Sequence, residues 1–224
     1  MIRCKTQDLY KTYYNGSQEI NSIINCNIEI KAGEYVIICG SKASGKTTLL
    51  HMLAGFERPT SGMIYINNKD ITVYNDDELA IMRRKEIGFL NQNDRLIPEL
   101  NIHENIIMPA ILAHTKYEEE YYYNLINSLK LKELLFLYPK QLHKDQLQCV
   151  KYARSLINNP NIILMDEPSG DANLSKNFMD FLINMVYQYK KTLIMVKSDV
   201  CDNMYVNHII RLEQGDITEN RLIS

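Results

Sequence analysis

Residues 40–47 read Gly-Ser-Lys-Ala-Ser-Gly-Lys-Thr, the spacing G-x-x-x-x-G-K-[ST] that is typical of a phosphate-binding loop. The glycines allow a tight turn close to phosphate oxygens, and the loop amides and the start of the next helix attract the anion. The Lys46 ammonium suits β- and γ-phosphates, and the Thr47 hydroxyl suits Mg²⁺. The alternative is an ordinary glycine-rich turn. We predict a site for ATP with Mg²⁺ formed by Gly40, Ser41, Lys42, Ala43, Ser44, Gly45, Lys46, Thr47 and Thr48.

A second acidic element supports this interpretation. Residues 162–167 read Ile-Ile-Leu-Met-Asp-Glu, which predicts a buried strand that ends in two carboxylates. Asp166 suits the coordination sphere of Mg²⁺, and Glu167 suits a general base that polarises water. The alternative is a plain strand end followed by a turn at Pro168, and the presence of the phosphate loop favours the catalytic interpretation.

The elements around these motifs predict an α/β fold. The apolar run Tyr35–Cys39 predicts a strand buried on both faces directly before the loop, and period-two alternation over 24–30 predicts an antiparallel strand. Further strands are predicted at 63–66, 162–165, 192–196 and 208–212. Helices are predicted at 47–54, 76–84, 101–113 with a kink at Pro109, from a capping box at Thr115 to about 129, 145–158 and 173–189.

Alternation of strands and helices favours a P-loop NTPase core with a mainly parallel sheet, joined by an antiparallel β subdomain and a helical subdomain. We expect one domain over 1–224, with the helical subdomain inserted at about 93–158.

The composition excludes several other classes. Hydrophobic residues make up 46% and charged residues 23%, and the net charge of −2 gives no general attraction to nucleic acid, so no nucleic-acid partner is expected. The five scattered cysteines argue against a metal cluster or a disulfide framework. The segment Met1–Tyr10 lacks the apolar stretch of a signal peptide, and no apolar run reaches the roughly 18 residues that a membrane span needs. We expect a cytoplasmic protein that could lie against a membrane protein.

The order of these motifs resembles that of the nucleotide-binding subunit of ATP-binding cassette (ABC) transporters, over nearly the whole chain. Tyr13 stands where that family stacks an aromatic ring on adenine. Gln92 stands at the family's glutamine loop, which touches Mg²⁺ and signals to the membrane partner. Taken singly, Tyr13 could be one of fifteen ordinary tyrosines and Gln92 a surface glutamine. Their joint order and spacing favour the resemblance.

The stretches Glu57–Gly62, Arg83–Phe89 and Pro98–Asn105 resemble the macrolide-exporter and lipoprotein-release branch of the family. That resemblance implies an integral-membrane permease with four transmembrane helices per subunit, contacted by Asn93–Ala113. It also implies a second nucleotide-binding subunit, identical or different, and a location on the inner face of the cell membrane.

Two family motifs depart from the expected pattern. Ala153-Arg-Ser-Leu156 fixes the register of the family's signature Leu-Ser-Gly-Gly-Gln, whose positions here are Leu142, His143, Lys144, Asp145 and Gln146. In the family this segment closes over the ATP of the opposite subunit, and side chains on Lys144 and Asp145 add bulk where bare backbone approaches phosphate. Asp145 could instead cap its helix. Ser198 occupies the position of the family's histidine, which makes it a shorter, uncharged ligand for phosphate.

A homodimer would carry both departures in each of its two ATP sites. With an intact partner, one site would lack the histidine and the other would carry the altered signature, so every ATP site that involves this chain is incomplete. Because positioning and charge stabilisation supply most of phosphoryl-transfer catalysis, we expect near-normal Mg-ATP binding with slow hydrolysis. The alternative is an ATP-gated regulatory module with little or no turnover. A soluble cassette protein acting on DNA or ribosomes is disfavoured, since this sequence lacks the coiled-coil insertion or the tandem second cassette that such proteins use.

Overall fold

The computed structural model describes residues 1–16, 18–91, 95–166, 176–198 and 205–223. In these ranges no helix combines the length and the hydropathy needed to cross a membrane.

Among the described residues, the central sheet has six strands, of which five are parallel. Its spatial order is β11 (Asp216–Leu222), β10 (His208–Glu213), β4 (Tyr35–Cys39), β9 (Thr192–Lys197), β8 (Ile162–Met165) and β7 (Ile87–Leu90). Only β11, at one edge, is antiparallel to its neighbour. Every residue of β4 and of β8 is buried, as expected for strands covered on both faces. The predicted mainly parallel sheet is confirmed.

A second sheet is antiparallel. It comprises β1 (Ile2–Asn15), β2 (Gln18–Cys26), β3 (Glu29–Lys31), β5 (Ser61–Ile66) and β6 (Lys69–Asp70). The prediction of a single strand over 24–30 is wrong in one respect. The strand is interrupted between Cys26 and Glu29, and the two resulting strands, β2 and β3, both pair with β1. Thr6 fills the break, since its hydroxyl donates to the Cys26 carbonyl and accepts from the Ile28 amide.

Six helices complete the described structure. They are α1 (Lys46–Leu53), α2 (Asp76–Glu86), α3 (Ile102–Leu112), α4 (Glu119–Ser128), α5 (Lys144–Leu156) and α6 (Lys176–Tyr187), with 3₁₀ turns at Lys132–Leu134 and Pro139–Gln141. Helices α3, α4 and α5 follow one another between β7 and β8.

The start of α4 differs from the prediction. Thr115 does not cap this helix, which begins after Glu118. The Thr115 amide and hydroxyl instead bond the Ala110 carbonyl, at 3.0 and 3.4 Å, and so satisfy the end of α3. A capping box does open α3, where the Asn101 side chain and the Glu104 amide pair at 2.9 Å.

The core lies on both faces of the central sheet. Alternate side chains of β4 point to opposite faces. Tyr35 and Ile37 pack in a cluster with α3–α6, whereas Val36 and Ile38 pack in a cluster with α1 and the antiparallel sheet. Because β4 is packed on both faces, the segment that follows Cys39 starts from a fixed position.

His208, the first residue of β10, bonds to β11 and to the turn before β4, at the opposite end of the sheet from the phosphate loop. Its buried ring lies between the Glu34 carboxylate, 2.9 Å from Nδ1, and the Asn220 Oδ1 atom, 2.7 Å from Nε2. Burial lowers the pKa of His208, but the hydrogen bonds to Glu34 and Asn220 and the charge of Glu34 outweigh burial, so that the pKa is raised. A protonated imidazolium can donate to both acceptors.

Candidate functional site

The predicted phosphate loop connects β4 to α1 at the carboxyl edge of the parallel strands. Binding sites of open α/β sheets lie at this edge. The loop residues Ser41–Ala43 are exposed, whereas Ser44–Lys46 are buried. The first amides of an α-helix have no partner within the helix, so the amino end of α1, which directly follows the loop, suits an anion.

Two glycines are required by the loop geometry. Gly45 has φ 99° and Gly40 has φ 150°, both in the region that favours glycine. A Cβ atom on Gly40 would lie 2.0 Å from the Leu212 carbonyl oxygen, and one on Gly45 would lie 2.1 Å from the Ser22 carbonyl oxygen. The backbone thus passes directly against β10 and β2 at these two points.

Lys46 reaches back into the loop that precedes it. Its side chain is buried, and Nζ donates to the carbonyl oxygens of Gly40 at 2.8 Å and Ser41 at 2.6 Å. An ammonium held by carbonyls inside a ring of backbone amides is a fixed positive charge at the place where an anion would bind.

Thr47 and Asp166 come together at the same edge of the sheet. Asp166 directly follows β8, and its Oδ1 atom accepts from the Thr47 hydroxyl at 3.2 Å. A hydroxyl and a carboxylate oxygen are the hard ligands that Mg²⁺ prefers. The residues present therefore fit the predicted metal.

Tyr13 lies at the end of β1, next to the loop. Its hydroxyl is 3.5 Å from the Thr48 Oγ1 atom, which also accepts from the Ser22 hydroxyl at 2.9 Å. Partial burial raises the pKa of Tyr13, and the neighbouring Glu57 carboxylate raises it further. The side chain stays 37% exposed, so part of the ring is open to a ligand.

Ser198 follows the last residue of β9. Because Lys197 is in register with Cys39, Ser198 lies beside the start of the phosphate loop, and it is exposed. Gln92 and Glu167, predicted as a Mg²⁺ contact and as the general base, fall outside the described residues.

The predicted signature segment, residues 142–146, lies at the amino end of α5. Leu142 is buried, while His143, Lys144 and Asp145 are exposed. The proposed cap at Asp145 is wrong, because the helix begins at Lys144 and the residue before it is His143. The His143 amide donates to the Gln146 side chain at 2.9 Å.

Several neighbours of the loop were not predicted as site residues from the sequence. The Ser41 hydroxyl donates to Glu213 at 3.0 Å, and Lys11 and Glu57 pair at 3.0 Å beside Tyr13. Only the three-dimensional structure brings these distant sequence positions together.

Comparison with known proteins decides the family. The family model described as ABC transporter matches residues 23–170. An uncharacterized ABC transporter ATP-binding protein of Methanocaldococcus jannaschii, MJ0796, is 36% identical over 221 residues, which is 95% of this chain and 94% of that protein. The chain belongs to the ABC transporter family.

Other relatives of this ABC transporter chain fall in the predicted branch. The lipoprotein-releasing system ATP-binding protein LolD of Legionella pneumophila is 32% identical and covers 95% of both chains. The macrolide export ATP-binding/permease protein MacB of Vibrio parahaemolyticus is 33% identical over 99% of this chain, which spans only 34% of MacB.

A solved structure supports both fold and activity. The MJ0796 cassette, a dimer in a post-hydrolysis state bound to ADP and Pi, superimposes with a TM-score of 0.86 at 34% identity and 99% coverage of each chain. The predictions of an ATP-binding cassette and a P-loop ATPase are confirmed.

Proposed function

We infer that this ATP-binding subunit holds Mg-ATP in its phosphate loop, hydrolyses it slowly, and couples binding to a separate membrane permease. The observation that carries the proposal is the convergence of three groups at one sheet edge. These are the Lys46 ammonium inside the loop and the Thr47–Asp166 pair beside it.

The phosphate loop and the residues around it contact different parts of ATP. The amides from Ser41 to Thr48 donate to the phosphates, and Lys46 neutralises the β- and γ-phosphates. Tyr13 stacks on adenine, and Gln92 and Ser198 contact the γ-phosphate side of the site. The contact between Tyr13 and Thr48 supports this arrangement, since it places a ring for the base next to the amides for the phosphates.

Thr47, Asp166 and Gln92 would hold Mg²⁺, with Glu167 as the base that orients water. When bound, the ion supplies positive charge that stabilises the phosphates during transfer. The hydroxyl and the carboxylate, 3.2 Å apart, support this metal site.

Slow hydrolysis follows from the two altered motifs. Lys144 and Asp145 are exposed at the amino end of a helix, where the family presents bare glycine amides to a partner's γ-phosphate. The Asp145 carboxylate would repel that phosphate, and Ser198 carries no charge to stabilise it. Both features also favour the alternative, an ATP-gated regulatory module with little or no turnover.

The partners follow from the family. We expect a second cassette, identical or different, since the related MJ0796 cassette is a dimer. We also expect a permease with four transmembrane helices per subunit, docked on Asn93–Ala113 at the inner face of the cell membrane. In the described part of this segment, Ile111 and Leu112 are 60% and 57% exposed, which supports a contact surface.

We treat 1–224 as one domain with a helical subdomain at about 93–158.

A steady-state ATPase assay of the wild type and Glu167→Gln tests whether the protein hydrolyses ATP with Glu167 as the base. A slow wild-type rate that Glu167→Gln abolishes supports an enzyme, and equal rates support the regulatory module. A wild-type rate equal to that of ordinary transporter ATPases would contradict the proposal. Affinity purification from membranes would identify the permease.

A further inference from the structure

We propose that Lys11 and Glu57 are positioning residues that hold the Tyr13 ring for the nucleotide base. The proposal rests on the proposed stacking of adenine on Tyr13. It assigns a role to an ion pair that lies outside every motif of the phosphate loop.

Lys11 lies against the Tyr13 ring, two residues before it on β1. The pairing of β1 with β2 shifts register on both sides of Lys11, as in a β-bulge. Bulges re-aim side chains and are common next to functional sites. The Lys11 Nζ atom lies over the Tyr13 ring, 4.9 Å from its centroid, which is within the range of a cation–π contact.

The ammonium is itself held in place. Lys11 Nζ pairs with the Glu57 Oε1 atom at 3.0 Å and donates to the Arg58 carbonyl at 2.9 Å. The two charged side chains are only 15% and 22% exposed. A cation fixed by a carboxylate and a carbonyl is less free to move than an ordinary surface lysine.

These contacts restrain Tyr13 at two points. Lys11 covers one face of the ring, and the hydroxyl lies 3.5 Å from Thr48. The opposite face is therefore the one that a base can stack against. A cation on the covered face also draws electron density from the ring, which strengthens stacking on an electron-rich purine.

A purely structural role predicts a different outcome. The loss of an ion pair that served only the fold would lower stability, and it would not distinguish a ligand with a base from one without. The positioning role predicts a loss that is confined to ligands that carry a base.

The experiment compares ATP with inorganic tripolyphosphate, which offers the phosphates without a base. Dissociation constants with Mg²⁺ are measured by calorimetry on the full chain for the wild type, Lys11→Met, Lys11→Arg and Tyr13→Ala. We expect Lys11→Met to weaken ATP binding about two- to fivefold, as for a cation–π contact, and to leave tripolyphosphate binding unchanged. Lys11→Arg restores ATP affinity, because guanidinium also stacks on aromatic faces.

Two controls isolate the effect. Arg221→Met removes the same charge from a 2.9 Å ion pair on the distant strand β11, and should change neither ligand. In a Tyr13→Ala background, Lys11→Met should have no further effect on ATP, since the ring through which it acts is absent.

The outcomes separate the two levels of the proposal. Equal losses for ATP and tripolyphosphate, no loss for ATP, or a full loss in the Tyr13→Ala background would overturn the role of Lys11. If Tyr13→Ala leaves the preference for ATP over tripolyphosphate intact, base stacking on Tyr13 itself is wrong, and the positioning role is overturned with it.

Discussion

Replacing Gly45 with alanine tests how tightly the phosphate loop is packed. Gly45 has φ 99°, well outside the left-handed well that L-residues can reach near +50 to +70°. We expect this conformation to cost about 1–3 kcal/mol. The new Cβ would also lie 2.1 Å from the Ser22 carbonyl oxygen, although carbon and oxygen ordinarily stay about 3.3 Å apart. Either β2 or the loop must then move by about 1 Å, which adds about 1–3 kcal/mol, as overpacking does.

Gly16→Ala is the matched control. Gly16 has φ 62°, and a Cβ there would meet no atom within 4 Å, so the variant carries backbone strain alone, at about 1–2 kcal/mol. Urea denaturation should therefore show a loss of about 2–6 kcal/mol in the free energy of unfolding for Gly45→Ala. ATP affinity should fall about tenfold or more only in Gly45→Ala, since displaced amides lose charge-assisted hydrogen bonds. A loss within about 1 kcal/mol of Gly16→Ala, with normal ATP affinity, would refute the packing argument.

Three further predictions concern pH, metal and turnover. Because the pKa of His208 is raised on folding, its stabilisation is complete below the unfolded value of 6.5 and is lost as the pH rises through the folded value. Urea denaturation between about pH 6 and pH 8 should show the wild type losing stability relative to His208→Gln. Thr47→Ala should weaken ATP binding about tenfold with Mg²⁺ but leave Mg²⁺-free binding unchanged in calorimetry. Lys144→Gly combined with Asp145→Gly should raise steady-state ATPase activity about tenfold or more.

Each of these predictions has a result that contradicts it. Parallel pH profiles for the wild type and His208→Gln would show that the ring does not gain proton affinity on folding. If Thr47→Ala lost the same ATP affinity with and without Mg²⁺, Thr47 would not be a ligand of the metal. An unchanged ATPase rate in the double glycine variant would mean that the signature segment does not limit turnover.

The central sheet was predictable where burial is complete. Residues 35–39 and 162–165 are continuous apolar runs, and the structure buries each of them on both faces. The carboxyl ends of parallel strands lie at one edge of a sheet, so a location of the loop and of Asp166 at the same edge also follows from the sequence.

Strands at the margins escaped prediction for physical reasons. β1 is fourteen residues long, but bulges and register shifts interrupt its alternation, and its second half is largely exposed. β11 is an edge strand with mostly exposed polar residues, which leaves no apolar pattern to detect. Thr115 has the spacing of an N-cap, yet its hydroxyl donates to the Ala110 carbonyl at the end of the preceding helix, α3. Tertiary packing, which the local sequence does not show, decides between these two positions.

Contacts around the site were the least predictable part. Lys11 lies in β1 and Glu57 in the connection between α1 and β5, and nothing in their local sequence indicates an ion pair beside the Tyr13 ring. The same holds for Ser22 and Thr48, whose hydroxyls meet across two elements. Such pairs depend on the packing of the antiparallel sheet against α1.

The most direct test of the account follows bound and hydrolysed nucleotide together. Excess purified protein is mixed with trace radiolabelled Mg-ATP, and protein-bound ATP and released ADP are measured over time. We predict rapid capture of the ATP, followed by ADP formation that is slower than capture by orders of magnitude. ADP that accumulates as fast as ATP is captured, or an absence of bound ATP, would contradict an intact ATP-holding loop in a cassette with impaired hydrolysis.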